Sequence, residues 1–233
     1  MPYVKFIVPT AGKRAVTISG GMSMNAWYDI TGLTDRASED CDGIDESIRR
    51  VRAIIEGEIA LGVSSSRIAL AGFSQGGAMS LFAGLQLPIE MKPAGILVMS
   101  GYLPGASKFK VTPGLEDVPV MHLHGTADNV VIYDHAEKTR KHVTDKGLLS
   151  YTVRAFDGVG HTVSPEIMQT ALTFLKKVLP DAPDMAIKPK PASEMSVKEL
   201  KEAIRKAGLY SRSLGFFEKR EFVELLEEHQ RSL

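Results

Sequence analysis

ALAGFSQGGAM, residues 69–79, is an apolar run that breaks off at a serine between paired glycines and then resumes with small and apolar residues. The run Ile68 to Phe73 predicts a buried strand, and Gln75 to about Gln86 has the mix of a buried helix, so Ser74 stands at a strand-to-helix corner. The pattern is G-x-S-x-G over Gly72, Phe73, Ser74, Gln75 and Gly76. Side chains at the two glycines would block the close approach of strand and helix that holds such a serine in a strained backbone geometry. Taken alone, the stretch is open to two readings: a nucleophile on a strained turn, or only a glycine-rich corner.

Working outward, the alternation of strand and helix continues on both sides. Val4 to Val8, ended by Pro9, predicts a buried strand, and a Gly- and Met-containing loop follows. Ile44, Ile48, Val51, Ile55 and Ile59 recur at three- and four-residue steps, which predicts an amphipathic helix stopped by Gly62. After the serine corner come strands at Gly95 to Met99 and Val118 to Leu123, a helix at Tyr133 to Lys146, a strand at Tyr151 to Phe156 and a helix at Pro165 to Leu179. Ser164 and Pro165 supply an N-cap and first helical position for that last helix. Strands separated by helical patterns predict an α/β fold, a mostly parallel sheet covered by helices on both faces. Sheets of this kind bind ligands beyond the carboxyl ends of their strands.

Composition narrows the partners. The 233 residues carry 28 basic and 28 acidic side chains, a formal net charge of zero, which gives no electrostatic case for nucleic acid or an anionic membrane. No apolar run is long enough to cross a bilayer, so stable membrane insertion is not expected. The single cysteine, Cys41, cannot form an internal disulfide, and no segment has the zones of a signal peptide, which fits a cytoplasmic protein. Cys41 lies in the acidic run Glu39 to Asp42, which would raise a thiol pKa and leave it unreactive.

A serine hydroxyl cleaves esters only when a histidine takes its proton and a carboxylate orients that histidine. Two further loops offer those parts. HGTADNV places Asp128 beyond the carboxyl end of the strand Val118 to Leu123, and DGVGHTVSP places His161 after the strand Tyr151 to Phe156. Asp128 alone reads as a turn residue and His161 alone as an ordinary loop histidine. Their conjunction with Ser74, each after a successive strand and in the order nucleophile, acid, base, is what an α/β-hydrolase requires. Asp117 and Asp134 compete for the acid role, but the first precedes its strand and the second opens a helix. His122 and His124, two apart on a strand, face one side at a spacing compatible with metal ligation, yet no third ligand lies nearby, so a structural or site-shaping role is expected.

SRIALAGFSQGGAMSL, MHLHGTADNVV and FDGVGHTVSPE, with WYDITGL at Trp27 to Leu33, resemble the acyl-protein thioesterase and carboxylesterase family of α/β-hydrolases, over about Tyr3 to Leu179. The resemblance implies an α/β-hydrolase fold with Ser74 as nucleophile, His161 as base and Asp128 as its orienting acid. It gives the Gln75 backbone N–H to the oxyanion hole and requires no metal or organic cofactor. Substrates of the family are long-chain acyl thioesters on S-acylated proteins, lysophospholipids and small carboxylic esters. Met22, Met24 and Trp27 match its apolar loop beside the acyl groove; flexible methionines suit a lipid chain, and a core or lid-packing role stays open.

The sequence departs from the family at its start. Members usually begin with a further strand ending in an HG-x-G-D loop that supplies the second oxyanion donor, whereas this chain starts at what matches the next strand, VKFIVPTA. Three readings follow: a chain shortened relative to a longer natural one, which is the expectation; strands Val4 to Val8 and Ile68 to Phe73 closing up to pair directly; or lost activity. Gly20 and Gly21 are candidates for a substitute N–H.

Beyond residue 179 the texture changes. Pro180, Pro183, Pro189 and Pro191 mark residues 180–195 as a semi-rigid linker. In residues 196–233, Ser196 and Glu199 form a capping box before a helix with Val197, Leu200, Ala203, Ile204 and Ala207 on one face, ended by Gly208. A second helix is expected over roughly Glu218 to His229. This tail looks like helix-loop-helix modules of the SAP type, some of which bind nucleic acid. From Ser193 to Leu233 eight Lys or Arg stand against eight Asp or Glu, which argues against that and for docking a protein partner or packing against the hydrolase domain at residues 1–179. The rival to an active esterase is thus a catalytically silent scaffold whose tail makes the functional contact.

Overall fold

The computed structural model describes residues 1, 3–32, 40–181 and 191–231. They fall into two units, Met1–Asp184 and Met185–Leu233. In the first, a hairpin of β1 (Lys13–Val16) and β2 (Met22–Asn25) precedes α1 (Ile44–Ala60), β3 (Ala69–Phe73), α2 (Gln75–Gly84), β4 (Gly95–Met99), β5 (Val120–Gly125), α3 (Asp134–Asp145), β6 (Tyr151–Phe156) and α4 (Pro165–Val178). Strands β3 to β6 form one parallel sheet in the order β3-β4-β5-β6.

The period of two along each strand divides the core between the two faces of this sheet. Leu70, Ile96, Val98 and Val120 join Ile44 and Ile55 of α1, the buried side of α2 and Val143 of α3 in one apolar cluster. Leu97 and Leu123 point the other way, onto Ile167, Ala171 and Phe174 of α4. Helices therefore cover both faces, as parallel strands require. Gly95 to Val98 of β4 is buried throughout, which explains why its sequence GILVM is apolar without alternation. Helix α2 is buried from Gly77 to Gly84 and is apolar on all sides, so it holds the serine corner rigidly. Helix α4 begins at Ser164, whose hydroxyl accepts the Ile167 N–H at 3.2 Å.

Three expectations are corrected. Val4 to Val8 forms no strand; Phe6 is 66% and Val8 88% exposed, and Lys5 instead meets Glu58 of α1 at 2.7 Å. Apolar composition confers strand propensity, but a strand exists only where its backbone bonds a neighbouring strand, and Val4 to Val8 does not join the edge of β3, which pairs among the described residues with β4 alone. For the same reason the two strands do not close up to pair directly. Secondly, the expected Gly- and Met-containing loop holds the β1–β2 hairpin, in which Lys13 faces Asn25 and Val16 faces Met22. Thirdly, β5 runs from Val120 to Gly125, two residues later than the apolar run alone predicts.

In the second unit, α5 (Val197–Lys206) and α6 (Lys219–Arg231) bury Leu200, Ile204, Phe222, Leu225 and Leu226 against Ala192. The capping box is formed: Ser196 N–H donates to Glu199 Oε2 at 2.6 Å and Glu199 N–H to Ser196 Oγ at 3.3 Å. Between the helices, Tyr210, Leu214 and Phe217 are exposed. Of the proline-marked stretch, residues 182–190 lie outside the described residues. No described helix is long and apolar enough to cross a membrane.

Candidate active site

Ser74 sits between β3 and α2 with φ +53° and ψ −124°, a region costly for any residue with a Cβ and held only where its surroundings leave no alternative. Its N–H donates to the Met99 carbonyl at 2.8 Å, tying it to the carboxyl end of β4. The clearance beneath it comes from Gly72 and Gly77. A Cβ on Gly72 would lie 2.2 Å from the backbone carbonyl of Gly76, and one on Gly77 would lie 2.8 Å from Gly72 O and 3.2 Å from Val98 Cγ1. A Cβ on Gly76 would meet nothing within 4 Å. The close approach attributed to Gly72 and Gly76 thus belongs to Gly72 and Gly77, because the side-chain position of Gly76 opens onto free space.

The Asp128 and His161 loops are clamped together at Gly125, where a Cβ would stand 2.0 Å from Val159 O. Ala127 N–H donates to Val159 O at 3.0 Å and Thr126 N–H to Phe156 O at 2.9 Å. Buried Asp128 receives the N–H groups of Val130 and Val131 on Oδ1 at 2.9 and 2.8 Å. Its Oδ2 lies 2.7 Å from His161 Nδ1, and His161 Nε2 lies 3.0 Å from Ser74 Oγ. Burial works against the charge on Asp128, but the bonds from His161, Val131 and Val130 outweigh it and hold the carboxyl below its ordinary range. An ionised carboxylate only accepts, so His161 donates from Nδ1 and offers the lone pair of Nε2 to the serine hydroxyl. The ring of Phe73 lies against His161 with centroids 4.7 Å apart.

Gln75 opens α2, so its backbone N–H has no partner within the helix and lies at the positive end of the helix dipole, beside Ser74. Its side chain has a second role that the sequence did not signal. Oε1 accepts the Trp27 N–H at 3.0 Å and Nε2 donates to the Tyr28 carbonyl at 2.8 Å. Ser47 bonds the Trp27 carbonyl, and the buried Tyr28 hydroxyl meets that of Tyr102 at 2.8 Å. The chain leaving β2 is thereby fastened to the residue after the serine. Trp27 packs partly buried against the core, while Met22 and Met24 on β2 are 64% and 43% exposed. Gly20 and Gly21 do not offer a substitute oxyanion donor: their N–H groups bond Thr17 O and Val16 O, each at 3.0 Å, and turn the hairpin at positive φ.

The competing residues are engaged elsewhere. Asp117 pairs with Lys92 and Asp134 with Lys138. Cys41 is buried. His122 and His124, on β5, bond each other at 3.1 Å, and no group of three metal-ligating side chains occurs among the described residues. Sequence reasoning missed their third companion, Tyr151, whose hydroxyl is 2.8 Å from His122 Nδ1; the available signal was two histidines on one strand face beside a strand that opens with tyrosine.

A strained serine at the carboxyl edge of a parallel sheet, with its histidine and carboxylate on the loops of two successive strands, is an α/β-hydrolase arrangement. Comparison with known proteins narrows the class. The phospholipase/carboxylesterase family model matches residues 1–179, and the chain belongs to that family. It is a serine hydrolase of carboxylic ester and thioester bonds. It is 35% identical over 179 residues to acyl-protein thioesterase 1 homolog 1 of Dictyostelium discoideum, covering 76% of this chain and 78% of that one. It is 36% identical to acyl-protein thioesterase 1 of Schizosaccharomyces pombe, covering 76% and 79%. Among solved structures, Arabidopsis thaliana SOBER1 superposes with a TM-score of 0.67 at 27% identity, covering 74% of this chain and 83% of that one. Zea mays acyl-protein thioesterase 2 gives 0.64 at 25%, covering 73% and 80%.

Proposed function

We propose that the chain works through an acyl-enzyme on Ser74, with His161 as general base and acid and Asp128 as its orienting carboxylate. His161 Nε2 takes the proton of Ser74 Oγ as the oxygen attacks the acyl carbon. The Gln75 N–H donates to the oxyanion that forms. The tetrahedral adduct collapses, the bond to sulfur or oxygen breaks, and the leaving group takes the proton from His161. Water then repeats the sequence on the acyl-serine, giving its proton to His161 and releasing the fatty or other carboxylic acid. The single observation that carries this reading is the unbroken contact from Ser74 Oγ through His161 to Asp128, 3.0 and 2.7 Å. No resident metal or organic cofactor enters these steps.

The substrates we assign are S-acylated proteins and lipid-like esters, after the names of the thioesterase relatives. Exposed Met22 and Met24 beside Trp27 offer an adaptable apolar wall for the acyl chain. Residues 196–233 are read as a module docking a protein partner, supported by Phe217, 94% exposed, and by the balanced charge from Ser193 to Leu233, which disfavours nucleic acid. The cytoplasm is the compartment that a buried lone cysteine suits.

A fluorophosphonate probe tests the reading directly: Ser74 should be labelled and Ser74→Ala should abolish both labelling and thioester hydrolysis. A folded sample that hydrolyses neither a short nor a long acyl thioester, and leaves Ser74 unlabelled, would favour the silent scaffold. In the same assay Met22→Ser with Met24→Ser should raise KM for long acyl chains more than for short ones; equal effects remove the groove assignment. Leu214→Ser with Phe217→Ser should leave the rate intact and change only partner capture; a lost rate would remove the docking assignment.

A further inference from the structure

Behind Asp128, on the side away from Ser74, β5 points His122 and His124 into the interior, both fully buried. Tyr151 Oη is 2.8 Å from His122 Nδ1, His122 Nε2 is 3.1 Å from His124 Nδ1, and His124 Nε2 is 2.7 Å from the Val131 carbonyl. The same His124 Nε2 lies 3.4 Å from Asp128 Oδ2, the oxygen that also receives His161.

The last member of this chain determines the proton positions in all the others. The Val131 carbonyl can only accept, so His124 carries its proton on Nε2. Burial disfavours charge on both rings, pushing His122 down to about 3 with the nearby His124 adding to the effect, and lowering His124 as well. Both imidazoles are therefore neutral. A neutral His124 protonated on Nε2 has a bare Nδ1, which must take the His122 Nε2 proton. His122 Nδ1 is then bare in turn and takes the Tyr151 hydroxyl, whose own ionisation burial suppresses. These contacts select the Nε2–H tautomer at each ring.

We propose that Tyr151, His122 and His124 form a brace that holds the Asp128 loop in register with His161, resting on the triad reading above. The fixed His124 N–H grips the loop at the Val131 carbonyl and faces Asp128 Oδ2, while the Val131 N–H grips Asp128 Oδ1 from the other end. The carboxylate is thereby prevented from rotating about its Cβ–Cγ bond, and the plane of His161 follows it. None of the three touches the reacting atoms, so they are positioning residues. The titratable groups around the brace are Asp128 and His161 on the site side and Tyr133, whose ring stands edge-on to His124 at 6.0 Å. Glu137 and Arg140 of α3 act on Tyr151 from outside.

The test is Tyr151→Phe in the full chain, which keeps the ring and removes only the hydroxyl. Expected are a roughly tenfold fall in kcat with KM unchanged, the pattern of a misaligned catalytic group, and an equal fall in the rate of phosphonate labelling at Ser74. Nitrogen-15 spectra should show His122 and His124 protonated on Nε2 from mild acid to mild base in the wild type and in Tyr151→Phe alike, because the Val131 carbonyl fixes both tautomers. A second pair guards against loss of packing. His124→Gln, whose amide nitrogen can occupy the Nε2 position, should retain most of the rate that His124→Leu loses. Wild-type labelling with an unchanged rate in Tyr151→Phe, or equal losses in the two His124 variants, would overturn the brace alone. Absence of wild-type labelling at Ser74 would overturn the triad reading and, with it, the brace's part in catalysis.

Discussion

At the scale of single residues, Ser74 keeps its positive φ because the strand and helix around it are packed too closely to relax. Gly72 faces the backbone of Gly76 at 2.2 Å from where its Cβ would be, and backbone cannot move aside as a flexible side chain can. Gly72→Ala is therefore expected to cost about 3 kcal/mol, at the upper end of what overpacking costs, and to displace the serine. Gly76→Ala, with open space beside it, should leave stability unchanged or raise it by up to about 1 kcal/mol, the helix advantage of Ala over Gly. Urea denaturation of the two variants checks the difference; similar losses would contradict the assignment. The G-x-S-x-G spacing was legible in the sequence, but which glycine faces the strand was not. That depends on the direction of each Cα–Cβ vector, which is known only once the turn is built. Ser74, Asp128 and His161 were legible for a different reason: each follows a strand at the same sheet edge, so chain order alone brings them together.

Elements were readable wherever burial imposes a pattern. The strand GILVM lies where its unbroken apolar run places it, and the helices from Ile44 and from Pro165 lie where the sequence places them. The β1–β2 hairpin was hidden because Met22 to Asn25 is exposed along its whole length, which leaves no inward and outward alternation to detect. Val4 to Val8 misled in the opposite sense, since it has strand composition but no partner in the sheet. The end of β5 was missed because the apolar run stops at Leu123, while His124 beyond it is polar by type yet buried as core, its ring nitrogens satisfied by His122 and the Val131 carbonyl. The segment after β2 illustrates a further limit: its fastening to α2 runs through the Gln75 amide, which no periodicity reveals. Gln75→Leu keeps the backbone N–H but removes both bonds to Trp27 and Tyr28. It should destabilise the fold by about 1–3 kcal/mol, the cost of stranding partly buried polar groups. Trp27 is the only tryptophan, so a red-shifted emission and faster amide exchange at that residue are the expected signals; unchanged emission and exchange would mean that the amide fastens nothing.

For the molecule as a whole, pH sets stability through groups the net charge conceals. Asp128 is held below its ordinary range, so its contribution is present above the unfolded carboxyl pKa and is lost as pH falls through the folded value. His122 is pushed down to about 3 and His124 is lowered in the same direction, so below the unfolded imidazole value the unfolded chain binds protons that the folded chain refuses. All three act in the same sense. Unfolding free energy should fall as pH drops below about 6.5, by up to about 1.4 kcal/mol per pH unit for each imidazole. Denaturant titrations between neutral and mildly acidic pH measure the slope, and His122→Gln, which cannot titrate, should reduce it by one imidazole's share; an unaltered slope would mean His122 is not the cause. The same chain of buried rings has a consequence for proton traffic. It ends on the Val131 carbonyl and, at 3.4 Å, on the Asp128 carboxylate, so its link to the site runs through the acid that orients His161. Under the proposed chemistry, the protons of both half-reactions pass through His161, whose side chain is open to 16%.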